Sequence, residues 1–406
     1  MRNPMAAWVA AGIVVVAVTA AACTSGDDGA DEADGTLRPP NEDGRGFELL
    51  LERAAAAMFD SEEATADYVD VELAEIVTGL DDASEDERLA ALTTMFVDTV
   101  QTPPELFAQR GTEIDAFREE LGFSVLDVDR SLDVLSPPEQ ALIMETSVDP
   151  AQIDEAVRSD PVWSPLLDVD TVAGHEVYDW DDGAAVSTPD PGRSTAARPL
   201  GRGGQLAIVD GTVTRTVSRS TLVATLGAFG DPETSIARRD DVAPLLAEVA
   251  GGETEGRVIQ GYLQARPPAG WSGPVLLVDL VSDTDGEPAG DQAPDDQTSD
   301  DRTPDGADPA DEGPGDASGG SGAGQRTGLL VLAADDAEEA SARADAIRAT
   351  YETATSLAFA LPFTDVVPDL TVTTNGPLVV LTSPADLAFT QLRIVLQTAD
   401  PLLDIA

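Results

Sequence analysis

The stretch from Ser282 to Gly328 limits what this chain can fold into more than any other feature. It contains no valine, isoleucine, leucine, methionine or aromatic residue, and aspartate, glycine, proline and serine dominate it. A segment without large apolar side chains cannot bury enough surface to offset the entropy lost on ordering. We therefore expect residues 282–327 to be a disordered acidic insert between two strands.

The amino-acid composition excludes several kinds of chemistry. All 23 residues in the lysine-plus-arginine count are arginine, so the chain lacks the lysine that a Schiff base or a phosphate-binding P-loop needs. Cys23 is the only cysteine and His175 the only histidine, which excludes disulfides and the cysteine-based or paired-histidine metal sites. We expect no cofactor and no metal site, and a fold stabilised by its apolar core.

No catalytic residue is predicted. His175 lies in an alternating run over residues 171–180 without a G-x-S-x-G motif elsewhere, so we interpret it as a strand residue rather than a general base. Carboxylate pairs of the glycosidase type are inevitable among 76 acidic residues and carry little information. Trp163, Trp180 and Trp271 could line a sugar-binding cleft, but we expect them in the core.

The net charge of −53 constrains the partners of this chain. Nucleic-acid binding requires a cationic surface that displaces counterions, so we expect no nucleic-acid partner. The excess of acid is typical of proteins that stay hydrated at high salt. Asp283–Glu287 is weakly similar to a calcium-binding loop, but Pro294 stands where the bidentate glutamate is required. Only weak, nonspecific divalent binding is expected there.

The first residues have the three parts of a secretory signal. One arginine, an apolar run and the small residues Ala20–Ala22 precede Cys23. This arrangement resembles the bacterial lipoprotein signal, in which the cysteine after a short lipobox is acylated and becomes the first residue of the mature chain. The resemblance implies that residues 1–22 are removed and that Cys23 carries the lipid.

The same resemblance implies a location. Residues 23–46, rich in glycine, aspartate and proline, would form a flexible acidic tether. The rest of the chain would lie outside the cytoplasm, held to the cell membrane by the lipid. The alternative is an uncleaved membrane anchor over residues 5–22, which are uncharged and nearly long enough to span a bilayer.

Residues 47–137 are expected to be mostly helical. Ser84 and Glu87 form a capping box, Gly122 ends a later helix, and one short strand is indicated near residues 68–71. A first helix is predicted from apolar residues at helical spacing, namely Phe47, Leu50, Leu51, Ala54 and Met58.

Strands and helices alternate beyond this segment, in an order that occurs twice. In the half over 138–250, a strand at 141–148 precedes a helix that begins at Asp149–Pro150. Strands at 171–180 and 205–209 follow, and Asp210–Gly211 suits a type I′ hairpin turn.

The half over 251–406 repeats the order of strand, helix, hairpin and helix. Asp335 would begin its helix, and Asn375–Gly376 would form its type I′ turn. The sequence therefore predicts an α+β fold with two related halves, a mostly antiparallel sheet and helices on one face. The length favours two packed halves over one core.

These observations indicate a membrane-anchored extracytoplasmic lipoprotein that is not an enzyme and binds an unknown small molecule, lipid or envelope protein. Two alternatives remain open, an extracytoplasmic hydrolase that uses carboxylates and a structural or spacer lipoprotein. A deep apolar cleft between the halves would favour binding. Two buried carboxylates about 5 to 9 Å apart in an open groove would favour the hydrolase. A smooth acidic surface with neither would favour the spacer.

Overall fold

The alternating and continuous apolar runs of the sequence form the strands of one sheet. The structure, a computed structural model, describes residues 45–80, 83–98, 113–180, 188–195, 197–198, 201–251, 256–282, 325–385, 387–398 and 400–403. Twelve strands occur in these residues, in the order β11-β12-β10-β9-β8-β1-β2-β3-β7-β6-β5-β4, and every neighbouring pair is antiparallel. Together with the helices, this sheet makes the fold α+β.

The bounds of the elements are as follows. The strands are β1 Thr65–Asp70, β2 Val128–Ser136, β3 Glu139–Thr146, β4 Asp168–Val172, β5 His175–Asp179, β6 Gln205–Val209, β7 Thr212–Thr216, β8 Arg257–Gln264, β9 Val275–Val281, β10 Arg326–Ala333, β11 Thr371–Asn375 and β12 Leu378–Ser383. The α-helices are α1 Gly46–Leu51, α2 Val71–Thr78, α3 Glu85–Thr93, α4 Ile114–Leu121, α5 Pro150–Ser159, α6 Arg219–Gly230, α7 Ala243–Gly251, α8 Ala337–Thr353, α9 Phe363–Val366 and α10 Ala388–Gln397.

Helices cover both faces of the sheet, so the expectation of helices on one face is wrong. The face that carries Tyr68 packs against α1, α6 and α7. The opposite face, which carries Val69, packs against α2 to α5 at one end and α8 to α10 at the other. The physical reason lies in strands such as β9, where every residue is buried. A strand without an exposed side needs cover on both faces.

The opposite face carries two separate apolar clusters. One joins α2, α3, α4 and α5 to β1, β2, β3, β5, β6 and β7 and extends to Ile259 of β8 and Val281 of β9. The other joins α8, α9 and α10 to β8 to β12. No helix among the described residues is long and apolar enough to cross a membrane.

Local sequence signals place many of the helix ends correctly. The capping box of Ser84 and Glu87 begins α3, and Asp149 caps α5 with Pro150 at its first position. Gly122 ends α4 with a φ of 80°. The predicted cap at Asp335 is wrong by one residue, because the Asp336 carboxylate accepts the Glu339 N–H at 2.9 Å instead.

Two turns differ from the prediction and a third agrees with it. The predicted strand at 171–180 is broken by the turn between β4 and β5, because Ala173 and Gly174 adopt positive φ angles of 52° and 89°. The second hairpin turns at Gly376 and the following proline, since Asn375 still pairs with Leu378 in the ladder. The predicted turn at Asp210–Gly211 has positive φ at both residues.

Two further segments depart from their expected extent. The first helix ends at Leu51, and Ala56–Phe59 continues as a separate 3₁₀ helix, with an extended Ala55 before it. The strand β2 lies within the segment expected to be mostly helical. β10 already begins at Arg326, and the Ser282 N–H donates to the Gln325 carbonyl at 3.1 Å, so the insert is framed by paired strands.

Candidate ligand-binding cleft

A cleft of about 500 Å³ lies between the two helix groups of the opposite face. Its walls come from α2 and α3 on one side and from α10 with the start of β10 on the other. The volume falls within the range of small-molecule sites. The lining residues are Thr78, Ala90, Ala91, Thr94, Met95, Arg326, Leu387 and Thr390.

The first wall depends on two capped helices and a change of helix type. The Asp70 carboxylate accepts the Leu73 N–H at 2.8 Å and so begins α2. After α3, the chain continues as a π-helix over Thr94–Asp98. This helix places Thr94 and Met95 in the wall. Short π-helical segments are rare and occur frequently at functional sites.

The second wall depends on a close approach between a strand and a helix. A Cβ atom at Gly328 of β10 would lie 2.7 Å from the Cβ of Ala388, so only glycine allows the start of α10 to pack there. Leu387 and Thr390 enter the cleft from this first turn of α10. Leu387 is 52% exposed, which leaves an apolar side chain at the rim of the cleft.

Two of the threonines of the lining have satisfied hydroxyl groups. The Thr78 hydroxyl donates to the Ala74 carbonyl at 2.6 Å, and the Thr94 hydroxyl donates to the Ala90 carbonyl at 3.0 Å. Both hydroxyls are bonded within their own helix, as is common for threonine within helices. At these two positions a ligand meets methyl groups rather than free hydroxyl donors.

Among the described residues of the lining, Arg326 alone is charged. Its guanidinium donates to the carboxylate of Asp279, which is 2% exposed on the neighbouring strand. The Arg326 Nε is buried and has no hydrogen-bond partner among the described residues, so a ligand does not reach this atom. The pair balances the charges, and the Nη groups are the donors that remain for a ligand with an oxygen acceptor.

A second buried ion pair holds α10 against the centre of the sheet. The Arg393 Nη2 lies 2.6 Å from the Asp67 Oδ1 of β1, and the guanidinium stacks 4.1 Å from the ring centre of Tyr262. Burial raises the pKa of Asp67 above its ordinary value, although Arg393 acts in the opposite direction. This contact joins α10 to β1 and β8, two adjacent strands near the centre of the sheet.

An acidic cluster lies on the other face, where β1, β2 and β3 meet. The Glu145 carboxylate contacts Arg53 at 2.5 Å and Arg130 at 3.3 Å. Burial raises the pKa of Asp70 to about 6, and burial together with nearby acids raises the pKa of Asp129 to about 6. The two Asp70 oxygens accept from the Leu73 N–H and the Tyr68 hydroxyl. The carboxylates of Glu145 and Asp70 are therefore already engaged by arginine, tyrosine and backbone donors of the protein.

None of the sequence-predicted site residues that the structure describes lines the cleft. Cys23 and the calcium-like run Asp283–Glu287 fall outside the described residues. His175 begins β5 and is half-buried. Trp163, Trp180 and Trp271 are buried, as predicted for core residues. Within the described residues, no group of three or more histidine, cysteine, aspartate or glutamate side chains could hold a metal ion.

One arginine of the loop before β6 lies in the interior of the protein. Arg198 is 2% exposed, and its guanidinium lies between Trp163 and Trp180 at 4.5 and 4.3 Å from their ring centres. Its Nη1 donates to the buried Glu120 carboxylate at 2.7 Å. This side chain fastens the loop to α4 and the core.

Sequence reasoning did not find the cleft. Its residues come from four separate segments of the chain, and none of them belongs to a recognisable motif. The absence of large apolar residues up to Gly328 places Arg326 in the predicted insert, although this residue begins β10 and is the charged residue of the described lining. The available signal was the small side chains on one side of α3 and the helical turn after it, because Ala90, Ala91 and Thr94 leave room beside the helix.

Comparisons with known proteins find little that resembles this chain. The sequence matches no known protein family and none of the curated proteins. Crystal form I of TP0453 is similar with a TM-score of 0.34, 9% identity, and coverage of 85% of this chain and 97% of that one. Crystal form III gives a TM-score of 0.34, 8% identity, and coverage of 83% and 96%. At this level the similarity carries no argument.

Proposed function

We propose that this protein is a membrane-anchored extracytoplasmic lipoprotein that binds an apolar or amphiphilic small molecule without chemical turnover. The cleft between α3 and α10 carries the proposal. It has the size of a small-molecule site, a mostly apolar lining and, among the described residues, a single charged side chain. Such a lining favours a ligand that is mostly hydrocarbon with one oxygen acceptor near Arg326.

The binding proposal is tested by filling the cleft. Ala91→Trp places a large ring in the wall of α3, whereas Ala342→Trp places the same ring on the exposed side of α8. We expect Ala91→Trp to weaken binding of an apolar naphthylamine dye at least tenfold and Ala342→Trp to leave it unchanged. Equal dye binding by both variants would contradict a ligand site in this cleft.

An unbiased measurement complements the dye. Full-length protein purified gently from its own membrane is extracted with organic solvent, and the extract is compared by mass spectrometry with that of Ala91→Trp. A compound enriched in the first extract and reduced in the second identifies the ligand class. Identical extracts would favour the spacer alternative.

The anchor is proposed from the Ala20–Ala22 run and Cys23. Acylation would give a mature chain that begins at Cys23 and carries the mass of the acyl chains, because a doubly acylated cysteine anchors stably. Intact-mass measurement of detergent-extracted protein tests this. A mature chain that starts elsewhere, or normal processing of Cys23→Ala, would contradict the proposal.

The hydrolase alternative is favoured by one observation, the raised pKa values of Asp70 and Asp129. Carboxyl groups that titrate near pH 6 are common at catalytic sites. Both oxygens of Asp70 are occupied by protein donors, however, and Asp70 begins α2. We therefore assign the cluster to structure. Asp129→Asn is expected to leave dye binding unchanged, and loss of a newly detected hydrolytic activity in this variant would reverse the assignment.

We also propose that the two halves are related. The strand order β1-β2-β3-β7-β6 on one side of the central pair corresponds to β8-β9-β10-β12-β11 on the other, and each set includes a helix between its third and fourth strands in the chain. The antiparallel pairing of β1 with β8 fits a twofold arrangement. Separately produced chains 46–251 and 256–406 are expected to associate on mixing. Failure of either chain to gain structure in the mixture would count against the proposal.

A further inference from the structure

The strongest unexplained surface feature is an apolar loop over residues 357–362. Leu357 is 73% exposed and Leu361 is 48% exposed, and Leu357 is the most exposed large apolar side chain among the described residues. The alanines and the proline of the loop are exposed as well. Isolated exposed leucines are ordinary, but a continuous apolar run on the surface marks an interaction site.

The loop is held in shape by its own hydrogen bonds. The Asp400 carboxylate, which is fully buried, accepts the Ser356 hydroxyl at 2.6 Å and the Ala358 N–H at 3.2 Å. The Ser356 N–H donates to the Leu361 carbonyl at 2.9 Å, and the Ala360 N–H donates to the Ser356 carbonyl at 3.0 Å. A rigid loop presents its apolar side chains without an ordering cost on binding.

The backbone of the loop also carries strain. Ala360 has a φ of 55°, in the left-handed region that alanine rarely adopts. Strain of this kind persists only where the surrounding contacts fix it, and it is concentrated at functional sites. Here the contacts that fix it are the hydrogen bonds that expose Leu357 and Leu361.

The charge pattern favours a bilayer over a protein partner. Residues 353–364 carry no charge, in a chain in which 24% of residues are charged. In addition, the N–H groups of Ala358, Phe359 and Ala360 are bonded within the protein. Backbone in contact with lipid requires such internal bonding.

The hydrogen bonds place the loop beside the end of α10. The Ser356 hydroxyl and the Ala358 N–H both donate to Asp400, which lies three residues beyond the last residue of this helix. Leu387 and Thr390 of the cleft lie at the first turn of the same helix. The loop is therefore a surface feature separate from the lining of the cleft.

We propose that residues 357–362 insert into the surface of the membrane and fix the orientation of the domain on it. The inference goes beyond ligand binding and uses the lipid anchor only as the device that keeps the domain near a bilayer. Arg45, where the described chain begins, follows Cys23 by about 22 residues, which span at most about 75 Å when extended. The tether alone therefore does not set the orientation, whereas the loop does.

The test uses the absence of any cysteine other than Cys23. Full-length acylated protein with Leu357→Cys, Leu361→Cys or the control Ala342→Cys is labelled with an environment-sensitive fluorophore and placed in phosphatidylcholine vesicles that contain nitroxide-labelled acyl chains. We expect the fluorescence of the label at positions 357 and 361 to fall to less than half of its value in vesicles without nitroxide. The fluorescence of the label at position 342 is expected to be unchanged. Quenching at 357 and 361 no greater than at 342 overturns the inference.

The controls separate this proposal from the anchor. Unsubstituted protein takes up no label if Cys23 is acylated, so labelling of this protein contradicts the anchor. In that case the loop is tested separately, by flotation of Cys23→Ser protein with vesicles. Loss of flotation in Leu357→Asp with Leu361→Asp supports the loop proposal, and unchanged flotation overturns it. Shielding of position 357 from an aqueous quencher without quenching by the labelled lipids indicates a protein contact and also overturns it.

Discussion

Arginine is the residue on which much of this interior depends. Arg198 and Arg393 are each nearly inaccessible, pair with a carboxylate and lie against an aromatic ring. A guanidinium suits this role because it is planar, is weakly hydrated and stacks on aromatic faces, which an ammonium group does less well. In a chain without lysine, arginine therefore supplies the positive partner of these buried carboxylates.

The pair of Arg198 and Glu120 gives the first prediction. Arg198→Met leaves the Glu120 carboxylate buried without its charge partner, which costs about 3 to 5 kcal/mol. We expect a large fall in the denaturant midpoint for Arg198→Met, and a partial recovery when Glu120→Gln is added. A double variant no more stable than Arg198→Met would show that the ion pair does not account for the loss.

The raised pKa of Asp70 predicts a pH dependence. Its folded-state pKa of about 6 lies above the ordinary value of about 3.9. The folded state therefore holds more protons between about pH 4 and pH 6, so its stability rises as the pH is lowered from 7 to 5. The expected gain is about 1 kcal/mol from this group.

Asp70→Asn tests the pH dependence, because an amide keeps an oxygen for the Leu73 N–H but does not titrate. We expect the rise in unfolding free energy from pH 7 to pH 5 to be smaller in Asp70→Asn than in the parent protein, and to be unchanged in the exposed control Glu62→Gln. Denaturant titrations at the two pH values measure it. An identical rise in all three proteins would exclude Asp70 as its source.

At the scale of single elements, sequence signals that act over a few residues predict helix ends correctly, whereas features that depend on distant strands are not predicted. The capping residues Ser84 and Asp149 act within one helical turn, so their neighbours in sequence are their neighbours in space. The turn at Ala173 was not predicted, because an alanine gives no sequence signal for a positive φ angle. The strand β2 was not predicted, because it is a strand through its pairing with β1 and β3, which the local sequence does not reveal.

Gly328 predicts the sensitivity of the second wall of the cleft. Gly328→Ala places a methyl group against α10, and overpacking of this kind costs about 1 to 3 kcal/mol. The matched change Gly227→Ala, in the interior of α6 with free space around it, is expected to stabilise by about 0.5 to 1 kcal/mol. Thermal unfolding of both variants measures the contrast, and dye binding is expected to weaken in Gly328→Ala alone. Similar effects of the two changes would contradict the close packing.

The paired ends of β9 and β10 predict that the insert is dispensable for folding. Ser282 and Gln325 are hydrogen-bonded to each other, so a short glycine and serine linker can replace residues 283–324 without displacing either strand. We expect the thermal midpoint to change by no more than about 3 °C in ~1 M salt, because a shorter loop also costs less closure entropy. A much larger fall would show that the segment packs on the domain.

For the whole molecule, the net charge of −53 predicts stabilisation by salt. Self-repulsion among the acids is screened more strongly as the Debye length shrinks from about 8 Å at physiological ionic strength to about 3 Å at 1 M. We expect the thermal midpoint to rise from low to molar NaCl, and calcium chloride to act equally at matched ionic strength. A far larger effect of calcium would indicate a specific acidic site, and no effect of either salt would show that the acids are already balanced by arginines.

The sequence by itself determined what depends on composition and on near neighbours: the classes of chemistry excluded, the α+β character, the caps of several helices and the apolar character of β9. The tertiary structure alone decided that β1 pairs with β8, which joins Thr65 to Gln264, and that one sheet is covered on both faces. It also decided that α3 and α10 leave a cleft over Arg326. Periodicity states which face of an element is apolar but not which distant element covers it, because that choice depends on packing energies summed over the whole fold.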